Sequence, residues 1–170
     1  MIKYIGAAVL LSACIMAGHL RYRGKKAALE QMRSFGEALQ LLRAELKSCD
    51  SPLSDALKRV ADSCTGCGAE LARQLHENMD RLGVVPFGIL WQQACRENLP
   101  YLPAELLESA EGLGRVLGRY ETGEQLRAID RLITALESEL SMAALHLSSD
   151  RRLSLGLSAA IGLMLVIVLL

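Results

Sequence analysis

The residues best equipped for chemistry are five cysteines, three histidines and a glycine-rich segment, and spacing limits what each can do. Cys64 and Cys67 stand in "SCTGCG", the C-x-x-C arrangement of dithiol redox sites and of one half of a zinc site. A thioredoxin-like site needs a preceding strand and an α/β pattern, and the sequence offers neither. Structural zinc sites pair two short-spaced couples, whereas Cys49 and Cys95 are stragglers beside one couple. The pair reads as small apolar thiols at a helix junction in a reducing compartment. A four-thiolate zinc module of Cys49, Cys64, Cys67 and Cys95 is the alternative. Neither metal nor cofactor is expected.

The other reactive groups are equally isolated. His19, His76 and His146 lack a Glu or His at zinc-protease spacing, and no serine lies in a nucleophile-elbow sequence. The glycines of "EGLGRVLGRYETGEQ" are not followed by the Lys-Ser or Lys-Thr of a phosphate loop. Glu137 and Glu139 fall on different faces of a helix and make no acid–base pair. With no catalytic constellation, the chain reads as a binding or scaffolding protein and not an enzyme. Lys plus Arg total 19, equal to Asp plus Glu, and no basic stripe is interleaved with aromatics, so nucleic acid is not an expected partner.

The elements that would hold these residues are helical. Of 170 residues 51% are hydrophobic and 4% aromatic, and Leu and Ala supply most of the apolar mass. No alternating strand pattern appears. The acidic residues all fall between Glu30 and Asp150, so a polar middle is held between two apolar ends. Residues 153–170, "LSLGLSAAIGLMLVIVLL", form an uncharged run that as a helix spans about 27 Å, near the minimum for a bilayer. Ser154, Ser158 and Gly162 give it one small face.

The amino end admits two readings. Leu11-Ser12-Ala13-Cys14 has the form of a lipobox, where a secretory peptide is cut and the cysteine lipidated. Yet the apolar run continues through Gly18, and Arg21, Arg23, Lys25 and Lys26 follow it. Cations flanking an apolar helix stay cytoplasmic, and Arg151 with Arg152 flank the second run in the same way. The expected topology is a transmembrane helix at 2–20, a cytoplasmic domain over 25–150 and a transmembrane helix at 153–170, with both termini outside. A surface lipoprotein carrying a lipidated Cys14 and an extracytoplasmic helical domain is the alternative.

Within the middle, Leu29, Met32, Phe35, Leu39, Leu42 and Leu46 make one stripe of a helix, with Glu30, Arg33, Glu37 and Arg43 off it and solvated. Ser51 as cap and Pro52 at the first helical position open a second helix. A third is expected over 69–83, ended by Gly83. A fourth segment starts at Pro86 and carries Trp91. Pro100 and Pro103 bracket a turn before a fifth, and a last helix begins near Thr122 with Leu126, Ile129, Ile133, Leu136 and Leu140 on one face. Short connections favour antiparallel neighbours, hence an all-α antiparallel bundle of about six helices flanked by the two transmembrane helices.

Several of these segments resemble the stage III sporulation protein AB family of endospore-forming bacteria, and the resemblance runs from end to end. It is carried by "ALQLLRAEL" (38–46) followed by "SPLSDAL" (51–57), by Trp91, by "LGRVLGRYETGEQLRAI" (113–129) with Gly114, Leu117, Gly118 and Gln125, and by the closing "GLMLVIVLL". Glu121 stands where the family pattern suggests aspartate, and the lipobox and cysteine couple are not family hallmarks. The resemblance implies a membrane component of the secretion-like complex between mother cell and forespore, in the mother-cell membrane facing the forespore. Its helical domain would be similar to the cytoplasmic domain of the platform protein of type II secretion and type IV pilus systems. The implied partners are a secretion-type ATPase of the same operon and the channel's other membrane components, with homo-oligomerisation left open. The charged, glycine-rich turn from Arg119 through Glu121 to Gln125 is the expected partner contact, with an ordinary polar turn as the alternative.

Overall fold

A computed structural model describes residues 2–48, 52–82, 84–117 and 121–144, except for the side chains of residues 2–22. Among these residues lie six α-helices and no strand: α1 (Ile2–Ser48), α2 (Leu53–Ser63), α3 (Cys67–Glu77), α4 (Phe87–Asn98), α5 (Ala104–Leu113) and α6 (122–144). A 3-10 turn, Met79–Arg81, follows α3. The chain divides into two units, one of residues 28–140 and one of the two ends, 1–27 with 141–170.

In the unit of the chain ends, residues 2–27 of α1 are helical without a break. The side chains expected in a span at 2–20, with Arg21, lie outside the described residues, as do Arg151, Arg152 and all of 153–170. Arg23, Lys25 and Lys26 are exposed. Among the described residues no helix is long and apolar enough to cross a membrane.

In the unit 28–140, the stripe expected on α1 is the one buried: Leu29, Met32, Phe35, Leu39 and Leu42, joined by Ala38, with Leu46 half-buried. α6 opposes it with Ile129, Leu132 and Leu136 buried. Leu132 broadens the expected stripe, because a helix facing a globular core buries a wider arc than a narrow seam. Arg43, expected in solvent, is half-buried and bonds Asp130 at 3.2 Å. The Gln40 side-chain amide donates to Glu137 at 3.5 Å. Rising along α1 thus descends along α6, and the two are antiparallel.

Three prolines start helices from one position. Pro52, Pro86 and Pro103 have ψ near 140–145°, extended backbone, and sit just ahead of α2, α4 and α5. Their missing N–H is no loss there, and their carbonyls accept the first helical bonds, from Ala56, Leu90 and Leu107. Pro52, expected inside the helix, is therefore the cap itself, and Ser51 lies outside the described residues. α3 starts two residues before the expected 69 and ends at Glu77. Asn78 stops it by turning its side-chain amide back onto the Gln74 carbonyl at 2.7 Å. Gly83 lies outside the described residues.

Two glycines let backbones approach where a side chain could not fit. A Cβ on Gly68 would stand 2.4 Å from the Ser34 carbonyl oxygen and 2.7 Å from Ala38, so α3 begins directly against α1. A Cβ on Gly114 would stand 2.6 Å from Trp91. Trp91, 1% exposed, fills the space between α4 and the end of α5 and donates its indole N–H to the Ala110 carbonyl at 2.7 Å. Among the described residues the core of this unit holds no buried polar side chain.

Candidate functional site

The cysteine couple proves to be part of a turn stapled to α1. Cys64 follows α2, Cys67 opens α3, and Gly66 between them takes the left-handed conformation with φ 77°. Ser34 secures the turn twice, donating its hydroxyl to the Thr65 carbonyl at 2.8 Å and accepting the Gly68 N–H at 3.0 Å. The Cys67 thiol donates to the Gln31 carbonyl at 3.6 Å. Burial, and then the nearby Glu37 carboxylate, push the Cys64 thiol above its ordinary pKa. Burial, and then Glu111, push Cys95 up to about 12. Both shifts disfavour the thiolate form of Cys64 and Cys95 at neutral pH. Among the described residues no three His, Cys, Asp or Glu side chains gather as a metal site requires, and Cys49 lies outside them.

Beside this turn is an open cleft of about 630 Å³, walled by Gln31, Glu70, Arg73, Glu97 and Asn98. Its polar groups are committed to one another. Gln31 donates to the Asn98 carbonyl at 3.1 Å and accepts the Tyr101 N–H at 2.9 Å. Hydrogen bonds from Gln93 and Gln74 hold the Glu97 carboxyl below its ordinary pKa. Small-molecule sites keep a few unpaired polar groups among apolar walls, whereas most polar groups of this cleft are already paired. His76 is engaged too, paired with Ser54 at 3.3 Å across α2 and α3.

The unit 28–140 has two distinguishable ends. α1 enters at one, where Gln31 and Ser34 hold the α4–α5 and α2–α3 turns, and α6 approaches residue 140 in the same direction. At the other, α1 finishes and α6 starts. Gly114 at the end of α5 lies here, and Gly88 is close above it: a Cβ on Gly88 would stand 3.3 Å from the Gly114 carbonyl oxygen and 3.7 Å from Cγ of Arg115. The connection from α3 to α4 therefore sits at this far end with the turn that leads into α6.

That connection is where the surface changes character. Among the described residues, three of the five exposed large hydrophobic side chains fall within it or one turn beyond: Leu82, Val84 at 89% exposure, and Ile89. No charged residue occurs from Leu82 to Cys95. The described part of the expected contact turn, Glu121 to Gln125, lies at the same end. Glu121 is exposed and caps α6, its carbonyl accepting the N–H groups of Glu124 at 2.9 Å and Gln125 at 3.2 Å. Its carboxylate and that of Glu124 suit the positive end of the α6 dipole. Gln125 is half-buried, and Arg119 and Gly118 lie outside the described residues. The sequence reading missed the loop, whose signal was an uncharged "GVVPFGIL" that spans the connection and the first turn of α4.

The family model for stage III sporulation protein AB matches residues 3–170. A solved structure of a stage III sporulation protein AB shares the fold with a TM-score of 0.62 at 22% identity, covering 72% of this chain and 97% of its own. No curated protein sequence matches the chain.

Proposed function

For a chain that belongs to the stage III sporulation protein AB family, and so has a role in sporulation, we propose a non-enzymatic membrane component of the secretion-like complex between mother cell and forespore. Residues 2–20 and 153–170 anchor it in the mother-cell membrane, and the bundle stands in the cytoplasm. The far end of the bundle contacts a secretion-type ATPase, which does the chemistry. This protein couples that motor to the membrane channel.

The observation that supports this reading most is the direction of the two outer helices. Residue 28 of α1 and residue 140 of α6 lie toward one end of the bundle, and the apolar loop and the Glu121 turn occupy the other. A domain tethered through its near end presents its far end to a cytoplasmic partner. The cations Arg23, Lys25 and Lys26 favour a cytoplasmic side for the segment that follows residue 20.

Topology decides first. Alkaline phosphatase or a fluorescent protein inserted at Val84 reports the side of the membrane, and fluorescence without phosphatase activity is expected. Phosphatase activity, with an amino terminus at a lipidated Cys14 by mass spectrometry, would overturn the reading. Replacing Arg119 and Glu121 together is expected to weaken capture of the ATPase while helicity is retained.

A further inference from the structure

The polar cleft by the cysteine turn is internally satisfied, which leaves the far-end loop as the surface with unmet chemistry. Leu82, Val84 and Ile89 are 42%, 89% and 53% exposed, in a chain that otherwise covers its apolar side chains well enough to leave only Tyr101 and Met142 comparably open among the described residues. The loop needs no partner to hold its backbone, since Val84 and Val85 both donate to the Arg81 carbonyl at 3.0 Å. Its side chains are thus presented by a self-supporting turn.

The charge beside the loop gives the partner's character. The Arg115 stem lies next to Gly88, at the base of α4 where Ile89 begins to project. Arg115 is exposed and among the described residues makes no ion pair or side-chain hydrogen bond. Arg81, the cation on the other side, bonds the neutral Asn78 amide at 3.2 Å and keeps its charge. An apolar patch flanked by guanidinium charge that no carboxylate meets among the described residues matches an apolar surface that carries a carboxylate. The apolar part supplies most of the attraction, and a carboxylate facing a planar guanidinium fixes orientation.

We infer that Leu82, Val84 and Ile89, with Arg115 at their edge, form the docking surface for an apolar, carboxylate-bearing segment of the ATPase. This deepens the coupling reading above and rests on it. Contact extends from the acidic Glu121 turn to the neighbouring loop, and Arg115 adds an ionic element of the opposite sign.

The test is binding of purified ATPase to the full chain in lipid nanodiscs, for wild type and for Val84→Asp, Arg115→Glu and Glu108→Lys, the last on the exposed face of α5. Val84→Asp is expected to weaken binding more than tenfold and Arg115→Glu about tenfold, each with unchanged helicity, and Glu108→Lys by less than twofold. The salt dependence of binding should shrink in Arg115→Glu. Wild-type binding left intact by Val84→Asp and Arg115→Glu would overturn the docking surface and leave the coupling reading standing. So would equal weakening by all three. Absence of wild-type binding would bring down both. Sedimentation of the chain alone covers the remaining occupant: dissociation of a wild-type dimer by Val84→Asp would assign the patch to a second copy and overturn the inference.

Discussion

The two ends of the bundle close their turns by different means. At the end where α1 enters, two side chains of α1 do the work: Ser34 bonds both sides of the cysteine turn, and Gln31 bonds both sides of the α4–α5 turn. At the far end the turns close on themselves. The loop after the 3-10 turn folds back on the Arg81 carbonyl, and the chain after α5 is fixed beneath by Gly114 on Trp91. One end therefore offers little that is unpaired, apart from Tyr101 at 56% exposure. The other presents Leu82, Val84 and Ile89 on a backbone already satisfied. A surface can be altered for a partner at low cost to folding only where the fold does not depend on its side chains, and the far end meets that condition.

Substitutions can break or sharpen this contrast. The largest effect is expected from Gly68→Val at the entering end, whose Cβ has nowhere to go against the α1 backbone, with a loss of about 3 kcal/mol in urea unfolding. Gly114→Ala should cost about 2 kcal/mol, because Trp91 must shift. Equal tolerance of these two would erase the idea that glycines set the helix approach. Ser34→Ala, which removes the staple but keeps the packing, should cost about 1 kcal/mol.

A smaller effect is tied to pH. The Arg96 hydrogen bond holds the Glu111 carboxyl below its ordinary value near 4.5, so its folded pKa is depressed. The stability it gives is present above that ordinary value and lost as pH falls through the folded pKa. Glu111→Gln should flatten the decline in stability below pH 4.5 relative to wild type, followed by circular dichroism, and a curve of unchanged steepness would remove the pair from the account. Last, Val84→Asp should change stability by less than about 0.5 kcal/mol, as an exposed side chain on a self-supporting loop should. A larger loss would make the far-end loop part of the fold and dissolve the contrast.

Much of the fold was legible because helices announce themselves locally. The stripe Leu29 to Leu42, the prolines ahead of α2, α4 and α5, and the start of α6 at 122 depend on residues within one or two turns of each other. The resemblance reached the family through the same stretches, and the structure gives part of it a physical basis, since Trp91 and Gly114 touch. The candidate site was less legible. Arg43 looks like any solvated arginine until Asp130, far along the chain, is placed against it. "SCTGCG" looks like chemistry until Gly66 and Gly68 are seen to serve a turn packed on Ser34.

The sequence by itself determined the helical class, most helix starts, the apolar face of α1 and the membership of a family. The first three follow from periodicity, from proline's fixed φ and missing N–H, and from composition, and the family from the resemblance of particular stretches and the family model that matches 3–170. The tertiary structure alone decided that the Cys64–Cys67 turn packs on α1, that α1 and α6 run antiparallel, and that Leu82, Val84, Ile89 and Arg115 share one end. Those facts concern residues distant in the chain, and only packing brings them together.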